Sequence, residues 1–138
     1  LQKLGQTLNK HFGEGTVTRG ALLLVKDSAA RIDIIDGVRW RSDFEGIKAL
    51  GDENTIPLMM YVHADSKKRF ERARKRKQYA GEEYLSWEEF LKQDNAPNEA
   101  FVPELGGKAD FKIDNNKDDP ELKKFKAQLE IFCEKFLL

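Results

Sequence analysis

Cysteine is almost absent from this chain. Cys133 stands alone among 138 residues, so no intramolecular disulfide can form. A single thiol inside an amphipathic C-terminal pattern reads as packing rather than as a nucleophile, and a reducing, cytoplasmic setting is the simplest expectation. Net charge is missing as well. The 24 basic and 24 acidic residues cancel, so no global field draws the chain to nucleic acid or to an anionic membrane. No apolar run approaches the ~18 residues of a membrane span and no signal peptide is visible, so no membrane partner is expected. His11 and His63 lack spaced Cys, His or carboxylate companions, which argues against zinc, and no metal ligand is assigned. There is no Gly-x-Ser-x-Gly elbow and no acid–base pair spaced for hydrolysis. A phosphate-cradling loop is also lacking. Gly106-Gly107-Lys108 supplies a Gly-Lys pair, but Val102 stands where the first Gly of Gly-x4-Gly-Lys-Ser/Thr belongs, and Ala109 replaces the hydroxyl. The start has neither an initiator Met nor a cap: Leu1-Gln2-Lys3-Leu4 opens already in helical phase, as if cut from a longer chain.

What is present is ordinary globular material, 35% charged and 40% hydrophobic, in a length that fits one domain with a real core. Leu1, Leu4, Leu8 and Phe12 recur at helical spacing up to Gly13. Val17 to Val25 follows as a second helix with Ala21, Leu22, Leu24 and Val25 on its apolar face. Arg31 to Arg41 is the organising stretch. Ile32, Ile34 and Ile35 read as a short buried strand, Asp36-Gly37 as a sharp turn, and Ser42-Asp43-Phe44-Glu45 as a capping box that starts a helix carrying Phe44, Ile47 and Leu50 to Gly51. Ile56 to Val62 is a second apolar strand, with Pro57 tolerable only near its start. Ser66 caps a long helix through Tyr79, Ser86-Trp87-Glu88-Glu89 caps another through Lys92, and Asp94 to Gly107 is loop-like. Ala109 to Ile113 is a third strand with Asp114 to Asn116 as its turn. Asp119-Pro120 is an N-cap followed by Pro at the first helical position, before the stripe Leu122, Phe125, Leu129, Phe132 and Phe136. Strands alternating with helices predict an α/β fold with a parallel sheet.

Two places carry chemistry. The Asp36-Gly37-Val38-Arg39-Trp40-Arg41 turn puts a carboxylate and two guanidiniums at the carboxyl end of a strand, the edge where open α/β sheets bind ligands. Asp36 is then a carboxylate near Mg²⁺, a base, or a residue that simply holds the turn. From Lys67 to Lys77, eight of eleven residues are basic, with only Glu71 against them. Arg69, Arg72 and Arg76 fall at i, i+3 and i+7, so one helix face gathers three guanidiniums that an anion would relieve. A solvated face, a phosphate clamp and a nucleic-acid contact all remain open on composition.

Taken in order, these motifs resemble a family. Leu1 to Leu8, Ile34-Ile35-Asp36-Gly37-Val38-Arg39, Arg69-Phe70-Glu71-Arg72-Ala73-Arg74-Lys75-Arg76, Ser86 to Phe90, Asp94, Glu99 and the late Ala109-Asp110 strand ending in Ile113-Asp114-Asn115 are similar to P-loop nucleotide kinases. The nearest group is the dephospho-CoA-kinase-like and archaeal-type nucleotide kinases, adenylate-kinase-like in fold. The resemblance implies a three-layer α/β/α fold and an ATP-dependent phosphotransferase that uses ATP and Mg²⁺ on a nucleotide or related phosphate-bearing acceptor. It places Arg39 and Arg41 on the acceptor phosphate, and residues 1–30 in the acceptor-binding helical region. Residues 66–93 become lid-like helices. Arg72 and Arg76 would neutralise the transferred phosphoryl group, with Asp36 as the third catalytic candidate. Arg69, Arg74 and Asn115 would lie toward ATP.

The chain departs from that pattern at its start. The first strand, the P-loop, the first helix and the second strand all precede Leu1 in the family, and the Asp-Gly turn here is one residue shorter. In the family topology the first strand lies between the third and fourth, so its loss leaves apolar edges unpaired and invites dimerisation or strand swapping. Alone, these 138 residues are expected to be inactive. The competing expectation is a non-catalytic module of the same fold that binds nucleic acid through residues 67–77.

Overall fold

A computed structural model describes residues 2–26, 28–76, 81–119 and 121–138. Leu1, Lys77, Tyr79 and Pro120, on which parts of the reading above fall, lie outside the described residues. In order, the elements are α1 (Gln2–Phe12), α2 (Thr16–Lys26), α3 (Arg41–Lys48), β1 (Met60–His63), α4 (Ser66–Arg76), a 3-10 turn (Glu82–Tyr84), α5 (Trp87–Asp94), α6 (Val102–Gly107), β2 (Phe111–Asp114) and α7 (Lys123–Phe136). The class is mixed α/β with a parallel pair, β1 beside β2 in the register Met60–Phe111 to His63–Asp114. Two compact units divide the chain, Leu1–Leu58 with Pro97–Lys108, and Met59–Ala96 with Ala109–Leu138. None of the described helices is long and apolar enough to cross a membrane.

The second unit is built on the parallel pair. Ile113 of β2 is fully buried, and Phe111, two residues away on the same face, meets Phe132 and Phe136 of α7 at 5.5 and 6.4 Å between ring centroids. The outer edge of β2 is closed by one side chain: the Gln128 amide accepts from the Asp114 N–H at 2.9 Å and donates to the Asp114 carbonyl at 3.1 Å. In α5 both halves of the capping box form, with Ser86 Oγ accepting from the Glu89 N–H and Glu89 Oε2 accepting from the Ser86 N–H. That hydrogen bond to the Ser86 backbone holds the Glu89 carboxyl below its ordinary value. Phe70, Trp87 and Phe90 then cluster at 5.3 to 5.7 Å, tying α4 to α5.

In the first unit α1 and α2 form a hairpin over Gly13-Glu14-Gly15, whose glycines take φ of 88° and 75°. Arg19 staples the turn by donating to the carbonyls of Glu14 and Phe12. Asp43, buried near the start of α3, joins three pieces. Its Oδ2 accepts from the N–H groups of Arg39 and Trp40, and its Oδ1 accepts the Thr18 hydroxyl of α2 at 2.7 Å.

Several expectations need correction. Ile32 to Ile35 has no regular secondary structure and joins no ladder among the described residues, and Ile34 is 88% exposed. A strand exists only with a hydrogen-bonding neighbour, and none reaches this segment. The strand at 56–62 gives way to β1 at Met60–His63, and just before it the Met59 N–H goes to the Asp110 carboxylate at 2.7 Å instead of to a ladder partner. Helix α3 is capped from Trp40 with Asp43 reaching back to it, not from Ser42, whose hydroxyl is buried without a partner. Leu24 is exposed rather than on the packed face of α2. The loop 94–107 contains α6, with Pro103 in its first turn. Helix α7 starts at Lys123, although the Asp119 carboxylate does accept from the N–H groups of Lys124 and Phe125.

The contrast between Ile113 and Ile34 gives a stability prediction. Ile113→Ala should cost about 2–5 kcal/mol through the cavity it leaves, whereas Ile34→Ala should stay within about 0.5 kcal/mol. Urea unfolding of the two variants checks both.

Candidate functional site

Parallel strands deliver their carboxyl ends together, and here those ends open onto a cavity. The Asn115 N–H donates to the His63 carbonyl at 2.7 Å, carrying the ladder one bond past β1 and β2. At that level Val62, Phe90 and Asn115 line a cavity of about 400 Å³ with Arg69, Arg72 and Arg76 of α4. The i, i+3, i+7 spacing therefore does what helical geometry requires, placing three guanidiniums against one space. Arg74 does not line it. Arg74 lies over the Phe70 ring at 5.7 Å and reaches the Glu83 carbonyl.

The three cavity arginines differ in what compensates them. Arg69 makes a two-pronged pair with Asp94, with Ser66 Oγ as a further acceptor, and its Nε donates to the Ala64 carbonyl. Arg76 pairs with Glu82 at 2.6 Å. Arg72 donates to the neutral carbonyls of Asn115 at 2.7 Å and Lys117 at 3.2 Å. Those bonds orient Arg72 without neutralising it. Also on α4, Lys68 bonds Asp118 at 2.9 Å, which raises the Lys68 pKa and lowers that of Asp118. A neighbouring cavity of about 290 Å³, lined by Asp114, Asn115, Phe125 and Gln128 among others, shares Asn115 with the first.

Arg39 and Arg41 belong to the other unit. Gly37, at φ 84°, turns the chain after the exposed Asp36, and Asp43 then fixes the backbone of Arg39 and Trp40. Arg39 pairs with Glu99 at 2.6 Å, and Arg41 forks onto Glu104 through Nε and Nη2 at 2.9 and 2.5 Å. Arg41 also lies over the Phe101 ring at 4.5 Å. Among the described residues no group of His, Cys, Asp and Glu is placed to hold a metal ion, and the cavity on α4 is lined by cations. The charged side chains lining that cavity are all arginines, which suits an anion rather than a cation.

Of the residues expected to act together, Arg69, Arg72, Arg76 and Asn115 meet at one cavity, and Asp36, Arg39 and Arg41 share one turn of the other unit. Asp43 escaped the reading of the sequence. Its signal was a carboxylate three residues after Trp40, the back-reaching half of a capping box that the more usual Ser42 drew elsewhere.

The pair at Glu104 yields a pH prediction. Hydrogen bonds from Arg41, then from Lys108, pull the Glu104 carboxyl down from 4.5 to about 2. A depressed carboxyl contributes stability above its unfolded value and loses it as pH falls through the folded one. Carboxyl-detected NMR should place the Glu104 midpoint near 2, and Arg41→Ala should return it toward the ordinary carboxylate range.

No family model matches the chain, and no solved structure matches it. Two archaeal proteins are similar. A UPF0200 protein of Staphylothermus marinus is 29% identical over 115 residues, covering 83% of this chain and 57% of that protein. A UPF0200 protein of Pyrococcus abyssi is 30% identical over 104 residues, covering 75% of this chain and 52% of its own length. The chain thus spans about half the length of the curated relatives it matches, and neither name states an activity.

Proposed function

We propose that this chain is the arginine-bearing part of an ATP-dependent phosphotransferase of the nucleotide or dephospho-CoA kinase type. The observation that carries the reading is the cavity of about 400 Å³ at the carboxyl ends of β1 and β2, lined by Arg69, Arg72 and Arg76. Arg69 and Arg76 already face Asp94 and Glu82 there, while Arg72 donates to neutral carbonyls, and a polyphosphate would offer all three matched oxygen geometry. Arg72 is held by carbonyls that leave its charge intact, so it takes the first role in meeting the incoming phosphates, with Arg76 beside it. On this reading Asn115, at the edge of the same cavity, contributes backbone toward the base end of the nucleotide. Arg39 and Arg41 take the acceptor's phosphate. Phosphoryl transfer asks the protein mainly to position groups and neutralise charge, which is work these arginines can do.

ATP, Mg²⁺ and a phosphate-cradling loop complete that chemistry in the family the sequence resembles. This chain offers no ligand set for the metal among its described residues, so its own contribution is confined to binding, orientation and charge.

Calorimetric titration of the chain with ATP tests the reading. Arg72→Ala should weaken binding about tenfold or more, the loss of a charge-assisted contact, while Arg74→Ala should change it little. The chain alone should show no ATP-dependent phosphorylation of an acceptor. Equal binding by the Arg72 variant would overturn the assignment. Oligonucleotide binding that weakens steeply with salt and survives Arg39→Ala would put the nucleic-acid module in its place.

A further inference from the structure

Both arginines of the Asp36–Arg41 turn are closed by carboxylates from a single segment. Glu99 meets Arg39 at 2.6 Å and Glu104 meets Arg41 at 2.5 Å, and all four residues belong to one unit. The segment is seated by a ring contact as well as by those charges. Phe101 packs on Trp40 at 5.8 Å between ring centroids and lies beneath the Arg41 guanidinium. One oxygen, Glu99 Oε1, serves two donors, since the Asn98 side-chain amide also donates to it at 2.9 Å. Asn98 is only 6% exposed, and its own Oδ1 has no hydrogen-bond partner. The Glu99 carboxylate thus occupies a position where two donors converge, one of them cationic and the other held in place by burial. The ion pairs themselves are half open to water, with side-chain exposures of 42% for Arg39 and 56% for Arg41, so they can exchange partners.

We propose that residues 97–108 form an acidic strap that stands in for substrate phosphate on Arg39 and Arg41, and that a phosphomonoester dianion enters by displacing Glu99 and Glu104. The inference rests on the reading that these two arginines face the phosphate acceptor, and it adds a device for selecting the ligand. A monoanionic carboxylate offers the guanidiniums nothing that Glu99 and Glu104 do not already supply. A phosphate dianion brings a second charge and a third oxygen, so it can take a guanidinium with more charge than Glu99 or Glu104 supplies and, at Arg39, the Asn98 amide as well. The strap is therefore a charge filter, closed to ordinary carboxylates and open to phosphate.

The test follows the arginine Nε–Hε resonances of the full chain by NMR during titration with inorganic phosphate and, separately, with acetate. In the unsubstituted chain phosphate should move the Arg39 and Arg41 signals and acetate should not. Glu99→Gln and Glu104→Gln should each tighten phosphate about two- to fivefold, the scale of an exposed ion pair removed from competition. Both should also let acetate register. Glu99→Asp, which keeps the charge, should leave acetate excluded. Unchanged or weaker phosphate affinity in both Gln variants overturns the strap, as does a failure of phosphate to reach either signal in any variant. The Arg72 signal reports the other cavity independently. A response of Arg72 to ATP without release of Arg39 and Arg41 removes the strap alone. Release in the Gln variants with Arg72 silent toward ATP removes the nucleotide reading and leaves the strap standing.

Discussion

Four residues of parallel ladder govern the geometry of the second unit. A parallel pair sends both chains out at the same end, and here the bond from the Asn115 N–H to the His63 carbonyl levels the two exits. Asn116 then accepts from the Asp65 N–H through its side chain, one residue before α4 begins. Arg72 returns from that helix to the carbonyls of Asn115 and Lys117. The cavity exists because these short-range consequences of one pairing all converge. Ile113, buried behind the ladder, and Gln128, clamped on its outer edge, keep β2 in register.

Compensation of charge is the second theme. The net charge is zero over the whole chain, and the same balance is reproduced locally wherever arginines gather. Arg39, Arg41, Arg69 and Arg76 each face a carboxylate. A basic helix that looked in sequence like an unrelieved run is therefore partly relieved by Asp94, Glu82 and Asp118, which arrive from later parts of the chain. Arg72 and Arg74 instead donate to neutral carbonyls. Exposed pairs of this kind add little stability. Their effect is on orientation and on which anions can compete for the guanidiniums.

Much of this was legible from local pattern. Helices α1, α2, α4, α5 and α7 lie where helical patterns were read, and the Ser86–Glu89 box forms as its spacing demands, while Ser66 is the first residue of α4 rather than its cap. The common face of Arg69, Arg72 and Arg76 needed only helical periodicity. What misled was anything that depended on a partner. Ile32 to Ile35 has strand composition, yet composition supplies no neighbour, and the segment stays irregular and largely exposed. Ser42 has the better capping chemistry, yet Asp43 is the residue that reaches back, because Thr18 of α2 holds its other oxygen.

The sequence by itself determined the periodic elements and the alignment of basic side chains on α4, since both are set by interactions within a few residues. Tertiary structure alone decided which carboxylate meets which guanidinium, because Arg39 and Glu99 are 60 positions apart and Arg69 and Asp94 are 25 apart. It also decided that the α4 arginines border a cavity, since that depends on two strands distant in sequence ending at the same level. Spacing along a chain encodes a face; only folding brings the groups that the face will meet.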